Sequence, residues 1–217
     1  HPAQMEPLLP SEHRMAALLE QAHDLFRSSE QLAGKCQRGA LDGLRTLLRA
    51  MNSYYTNRIE GQHTLPVEIE QALRNDYSAD ADKARRQRLA LAHMAAEQAL
   101  EVRWPQWSPS QVWSAQMVQD IHQDLFARLD EPDRTLAPGD VLQPGKLRDR
   151  EVRVGRHAAP QAQSLPSFLN RWGSFYAQVR RGELQVLAVA ASHHRLAWIH
   201  PFRAGNGRVA RLHTHLA

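Results

Sequence analysis

Apolar residues in this chain recur at intervals of three and four almost throughout, and only between Pro144 and Pro160 does the interval fall to two. A period near 3.6 specifies amphipathic helices, whereas strict alternation specifies a half-exposed strand. The fold class is therefore all-α with one exception. Leu41, Leu44, Leu47, Leu48 and Met51 predict a helix running on toward Ile59, and Pro66 suits the first turn of a short helix over Val67 to Leu73. Further helices are expected over Leu89 to Val102, which Trp104-Pro105 ends, and over Val112 to Leu125, with Ser110 as candidate N-cap. Leu165 to Val179 and Leu184 to Ile199 supply two more. The exception, Arg150 to Gly155, alternates polar and apolar residues and reads as a hairpin strand.

At 217 residues with 42% hydrophobic content, the chain can bury an ordinary globular core. No apolar stretch reaches the roughly 18 residues that span a bilayer, and no signal-like leader is evident, so a soluble protein is expected. Cys36 is the sole cysteine, which rules out an internal disulfide and favours the cytoplasm. The net charge of +4 rests on arginine, since only Lys35, Lys83 and Lys146 are lysines. Basic residues are scattered among acidic ones, and Arg85, Arg86 and Arg88 read as a solvated helix face. No nucleic-acid-binding motif, Walker loop or dinucleotide fingerprint is present.

The densest chemistry lies at residues 200 to 211, His-Pro-Phe-Arg-Ala-Gly-Asn-Gly-Arg-Val-Ala-Arg. Gly205 and Gly207 allow close backbone approach to a ligand, and a helix opening after Gly205 presents free N–H groups and a positive dipole end to phosphate. Arg208 and Arg211, three apart, share a helix face and can grip further phosphate oxygens. His200, just before the turn, is suited to accept a proton at neutral pH. A base beside a phosphate cradle implies phosphoryl or nucleotidyl transfer.

This run resembles the signature of the Fic family, H-P-F-x-[DE]-G-N-G-R-x-x-R, matching at His200, Pro201, Phe202, Gly205, Asn206, Gly207, Arg208 and Arg211. It departs at Ala204, where the family carries the acid that holds a divalent cation. The resemblance implies a helical core with a β-hairpin flap, and transfer of AMP from ATP to a protein hydroxyl. In that scheme His200 deprotonates the target, and Phe202 anchors the loop. Gly205, Asn206 and Gly207 line the anion hole, while Arg208 and Arg211 meet the outer phosphates. His193 coincides with a histidine often seen in the family and reads as structural; His213 and His215, two apart, face different ways and do not form a zinc pair.

Two upstream segments extend the resemblance. Thr56-Asn57-Arg58-Ile59-Glu60-Gly61 is similar to the inhibitory-helix pattern [ST]-x-x-x-E-[GN], in which Thr56 and Glu60 share a face and Gly61 stops the helix. By resemblance Glu60 pairs with Arg211 and withdraws it from the γ-phosphate. Gly145-Lys146-Leu147-Arg148, followed by Val152 and Val154, is similar to the flap, where Val152, Arg153 and Val154 would pair with an extended target segment. The expected organisation is an N-terminal helical region over 1–105, with the inhibitory helix at about 41–61, and a Fic core over 106–217, with the flap at about 144–157.

The leading expectation is a protein adenylyltransferase restrained by Glu60, with ATP as substrate and a Ser, Thr or Tyr hydroxyl of a protein, self-modification included, as acceptor. Whether Mg²⁺ takes part depends on Ala204. Alternatives are a nucleotide-binding protein of low or no turnover because Ala204 lacks the carboxylate, a deAMPylase, and a regulator that binds DNA through a region beyond residue 217. The last helix lacks an obvious cap at Ala217, so the native chain is expected to continue, and an oligomer is compatible with these residues.

Overall fold

The computed structural model describes residues 1–35, 38–179 and 182–217, so Cys36 lies outside the described residues. Ten helices are described: α1 (Glu12–Lys35), α2 (Arg38–Ile59), α3 (Pro66–Leu73), α4 (Ala81–Arg103), α5 (Pro109–Val112), α6 (Ala115–Phe126), α7 (Glu131–Arg134), α8 (Leu165–Tyr176), α9 (Gly182–Ile199) and α10 (Asn206–Leu216). Two small antiparallel hairpins interrupt them, β1 (Thr135–Ala137) with β2 (Asp140–Val141), and β3 (Arg153–Val154) with β4 (His157–Ala158). The fold is all-α with a small β flap, as the periodicity predicts. Among the described residues, no helix is long and apolar enough to cross a membrane.

The core lies where α4, α6, α8, α9 and α10 meet, around Phe168, Trp172, Tyr176, Ile121, Leu125 and Phe202, all at most 1% exposed. α8 comes so close to the loop between α5 and α6 that a Cβ at Gly173 would collide with the Trp113 carbonyl. α1 packs on α9, and α2 packs on α4. The latter contact inverts the expected amphipathicity. Leu44, Leu47, Leu48 and Met51 are exposed, while Ser53, Thr56 and Asn57 are at most 2% exposed and face the body. Periodicity finds the helix but not the face that docks, because polar bonds secure it: the Ser53 hydroxyl donates to the Ala90 carbonyl at 2.8 Å, and Asn52 Nδ2 donates to Glu97 at 3.0 Å.

Three local expectations need correction. Ser110 is not an N-cap; Pro109 suits the first turn of α5, so Ser108 caps it in a capping box with Gln111, and Ser114 caps α6. The helix expected from Leu89 begins a further two turns upstream, where Asp80 accepts from the Lys83 N–H at 2.8 Å. Arg85, Arg86 and Arg88 are partly buried rather than solvated; Asp133 of α7 receives Arg88 through both carboxylate oxygens (2.5 and 2.8 Å) and Arg85 at its carbonyl. The β1–β2 hairpin lies outside the one stretch expected as strand, although Pro138-Gly139 marks its turn, with Gly139 at φ +74°.

Three histidines are buried and held neutral by desolvation: His122 and His213 are pushed down to about 4, and His93 to about 3. Between these values and the unfolded value of about 6.5, the unfolded chain binds more protons than the native one. Stability is therefore complete above pH 6.5 and falls as pH drops toward 4, by about 1.4 kcal/mol per pH unit for each histidine at most. A urea-denaturation midpoint clearly lower at pH 5 than at pH 7 is expected, above the range where carboxylates protonate; equal midpoints would refute it.

Candidate functional site

α9 delivers His200 from its last turn. The His200 N–H still bonds the Leu196 carbonyl at 3.1 Å, yet its φ is +52°. A side chain with a Cβ is strained there, and such a conformation persists only where its surroundings over-determine it. Arg148 provides much of that constraint. Its Nε donates to the His200 carbonyl at 2.8 Å, and its backbone N–H donates to the Pro201 carbonyl at 2.9 Å. Its remaining guanidinium donors reach the carbonyls of Arg150, at 2.9 Å, and Pro160. One cation, 3% exposed, thus ties the hairpin segment to the motif.

The next turn is closed by Asn206. Its Oδ1 accepts from the Phe202 N–H and its Nδ2 donates to the Phe202 carbonyl, both at 2.8 Å, so both polar groups of one buried peptide unit are satisfied. The Asn206 side chain therefore shapes the loop rather than facing a ligand. Phe202 is fully buried and stacks on His122, with ring centroids 4.0 Å apart and planes 17° from parallel. His122 Nδ1 accepts from the Gly145 N–H at 2.8 Å, which leaves the proton on Nε2, 3.3 Å from the Ala204 carbonyl. His122 and Arg148 were missed as site-forming residues in the sequence, because no local pattern links them to partners 82 and 52 positions away.

α10 begins at Asn206 behind Gly205, whose φ of +79° and proximity to the Phe126 ring exclude a side chain. Val209 N–H makes the first helical bond, to the Gly205 carbonyl at 2.9 Å, so the amides of Asn206, Gly207 and Arg208 have no acceptor within the helix. This is the anion-binding geometry expected of a helix N-terminus. Both arginines of the motif are engaged by α2 and the turn after it. Arg211 Nε donates to Thr56 Oγ1 at 2.7 Å, and its Nη2 donates to Glu60 Oε1 at 2.5 Å. Arg208 Nη2 donates to Asn57 Oδ1 at 3.1 Å and to Gln62 Oε1 at 3.0 Å. Arg208 is 4% exposed, and burial pushes it down to about 10.

Glu60 reaches so far into the turn that a Cβ on Gly207 would collide with its carboxylate. Gly61, at φ +72°, ends α2, with the Gln62 N–H returning to the Asn57 carbonyl at 2.8 Å. His200 is shifted below its ordinary value, chiefly by burial. His193 Nδ1 lies 2.8 Å from Thr214 Oγ1, a structural contact. His213 is buried against the Val112 carbonyl, while His215 points outward to Glu101. Position 204 presents a methyl group, and its carbonyl faces His122; neither supplies the carboxylate of a protein-held Mg²⁺, so the residues present do not fit that ion.

The flap is shorter than predicted. Only 153–154 and 157–158 pair, around Gly155 at φ +58°, and 144–149 is irregular. Val152 keeps one bond, its carbonyl accepting from Ala159 N–H at 3.2 Å, and Arg153 and Val154 are exposed. His157 Nε2 lies 2.8 Å from the Trp198 carbonyl, which fixes the flap beside the end of α9.

A tight loop bearing a histidine, a free helix N-terminus and two arginines, roofed by a carboxylate from the end of α2, has the chemistry to hold a phosphate group. Residues 112–217 match the model of the Fic/DOC family and form a domain of that family. It is similar to the protein adenylyltransferase Fic of Drosophila mojavensis, with 32% identity over 100 residues, which are 46% of this chain and 20% of that protein. The protein of the same name from Nematostella vectensis is 35% identical over 80 residues, 36% of this chain and 19% of its own. The matched stretch thus spans about a fifth of these curated relatives. In fold, the chain is similar to a Fic domain containing signaling protein from Bacteroides thetaiotaomicron, with a TM-score of 0.68 and 15% identity over 92% of this chain and 71% of that one. Fic-1 from C. elegans gives a TM-score of 0.68 and 19% identity over 93% of this chain and 56% of its own.

Gly205→Ala should cost about 2 kcal/mol or more, since it combines a left-handed backbone with a clash against a buried ring. Gly207→Ala should cost under about 1 kcal/mol, because the Glu60 carboxylate that it meets is the free end of a flexible chain. Urea denaturation of both variants checks this, and losses of equal size would contradict it.

Proposed function

We propose that this chain is a protein adenylyltransferase restrained by Glu60. The observation that carries the proposal is the Glu60–Arg211 pair, because it occupies, with a carboxylate, the guanidinium best placed for an outer phosphate. The names of the curated relatives support AMP transfer from ATP as the reaction class. In the unrestrained site, the polyphosphate lies at the N–H groups of Asn206, Gly207 and Arg208, and Arg211 closes on its outer end. His200 takes the proton from a Ser, Thr or Tyr hydroxyl of a protein, this chain itself included; the hydroxyl oxygen bonds to the α-phosphorus, and pyrophosphate leaves. The exposed edge at Arg153 and Val154, with Val152 beside it, would hold an extended target segment by main-chain pairing.

Charge neutralisation falls to the helix N-terminus and the two arginines, because position 204 has no carboxylate for a metal. That same absence favours a second reading, a nucleotide-binding protein of low turnover. Glu60→Gly should raise self-labelling from labelled ATP by about tenfold or more, the effect of removing one ion-pairing competitor, while His200→Ala abolishes it. Equal labelling of both variants would overturn adenylyl transfer. Activity confined to Ala204→Asp and dependent on Mg²⁺ would establish the low-turnover reading instead.

The pH profile offers a separate check. With His200 shifted below 6.5 by burial, its neutral, proton-accepting form persists below that pH, so the acid limb of the Glu60→Gly rate should fall below pH 6.5. A half-maximal point above pH 7 would exclude His200 as the base.

A further inference from the structure

Behind the Thr56–Arg211 contact lies a cavity of about 300 Å³ whose lining includes Asn52, Thr56, His93, Glu97, Arg211 and His215. His93, Glu97 and Glu101 stand four apart on α4 and therefore share one face. His215 of α10 approaches that face from the other side. Its Nε2 lies 2.8 Å from Glu101 Oε1 and 3.9 Å from Glu97 Oε1, and one ligand atom from each of the three residues fits within 4.8 Å of the others. Donors roughly 2.1 Å from a tetrahedral zinc stand about 3.4 Å apart, a value that these separations bracket.

His93 is the second, independent sign of a ligand. It is 2% exposed, and neither ring nitrogen has a hydrogen-bond partner among the described residues, while Nδ1 sits 3.8 Å from Glu97 Oε2. A buried imidazole left unpaired costs free energy that a native fold ordinarily recovers through some partner. Imidazole and carboxylate donors together suit zinc and related transition metals rather than Mg²⁺ or Ca²⁺.

We propose that Glu97, Glu101 and His215 form a transition-metal site that takes Zn²⁺, with the unpartnered His93 beside Glu97 on its buried wall. Two groups of α2 compete for it. Arg49 holds Glu101, with Nε at 3.1 Å, and Asn52 holds Glu97 at 3.0 Å. Filling the site therefore displaces a cation from Glu101, and removal of that cation should favour the metal.

The test is calorimetric titration of the untagged chain, freed of metal with EDTA, with zinc chloride, alongside metal analysis of the product. One zinc per chain is expected. His215→Ala and Glu101→Gln should each weaken binding by about tenfold or more, Arg49→Ala should tighten it, and His194→Ala, on the exposed surface, should leave it unchanged. Circular dichroism verifies folding, and should either weakened variant misfold, the wild-type stoichiometry and the Arg49→Ala shift decide. Absence of stoichiometric zinc in the wild type, unchanged affinity in folded His215→Ala and Glu101→Gln, or no tightening in Arg49→Ala would overturn the site. The readout is metal alone and stands whatever becomes of adenylyl transfer.

Discussion

Two hydrogen bonds between Asn206 and the main chain of Phe202 set the shape on which the rest of the site depends. They close the loop in a fully buried environment, where an open amide or carbonyl would be costly, and so fix the direction in which α10 leaves it. With that direction fixed, the first amides of α10 open toward the loop, and Arg208 and Arg211 rise on one side of the helix. Phe202 reinforces the arrangement from below. Its stack on His122 joins the loop to α6, and the same imidazole holds Gly145 and Ala204 through its two nitrogens.

Electrostatics then determine how α2 sits. Two arginines on one helix face repel each other and lose hydration as they are covered, and α2 meets them with Thr56, Asn57 and Glu60 from one side. This accounts for a helix that presents its polar face to the protein and leaves Leu44, Leu47, Leu48 and Met51 in solvent. The docking is made of hydrogen bonds and two partly exposed ion pairs, Glu60 with Arg211 and Arg49 with Glu101. Contacts of that kind exchange readily with water or with a competing anion, whereas an apolar seam would not.

The sequence made legible whatever is local. Helices with a clear period emerge within a turn or two of their observed limits, and the contiguous run from His200 to Arg211 identifies its own loop. The contact between Glu60 and Arg211, 151 positions apart, could be expected only through the family resemblance. Without such a guide, distant partners leave no trace: nothing near His122 signals Gly145 and Ala204, and nothing near Arg148 signals His200. Ser108, Ser110 and Ser114 are all chemically able to cap, and the choice among them falls to Pro109 and the packing of Trp113. Arg85 and Arg88 look solvated until Asp133 of α7 folds across them.

Arg148 has a mechanical consequence. Four of its nitrogens, the backbone amide included, donate to the carbonyls of His200, Pro201, Arg150 and Pro160, so the strained histidine and the base of the β3–β4 hairpin are tied together. A segment laid along β3 would then be measured against the imidazole as by a fixed gauge, with little play in the spacing between them. Such a gauge selects by distance: an acceptor group one residue out of step along the strand would face the opposite side of the pleat and miss the ring.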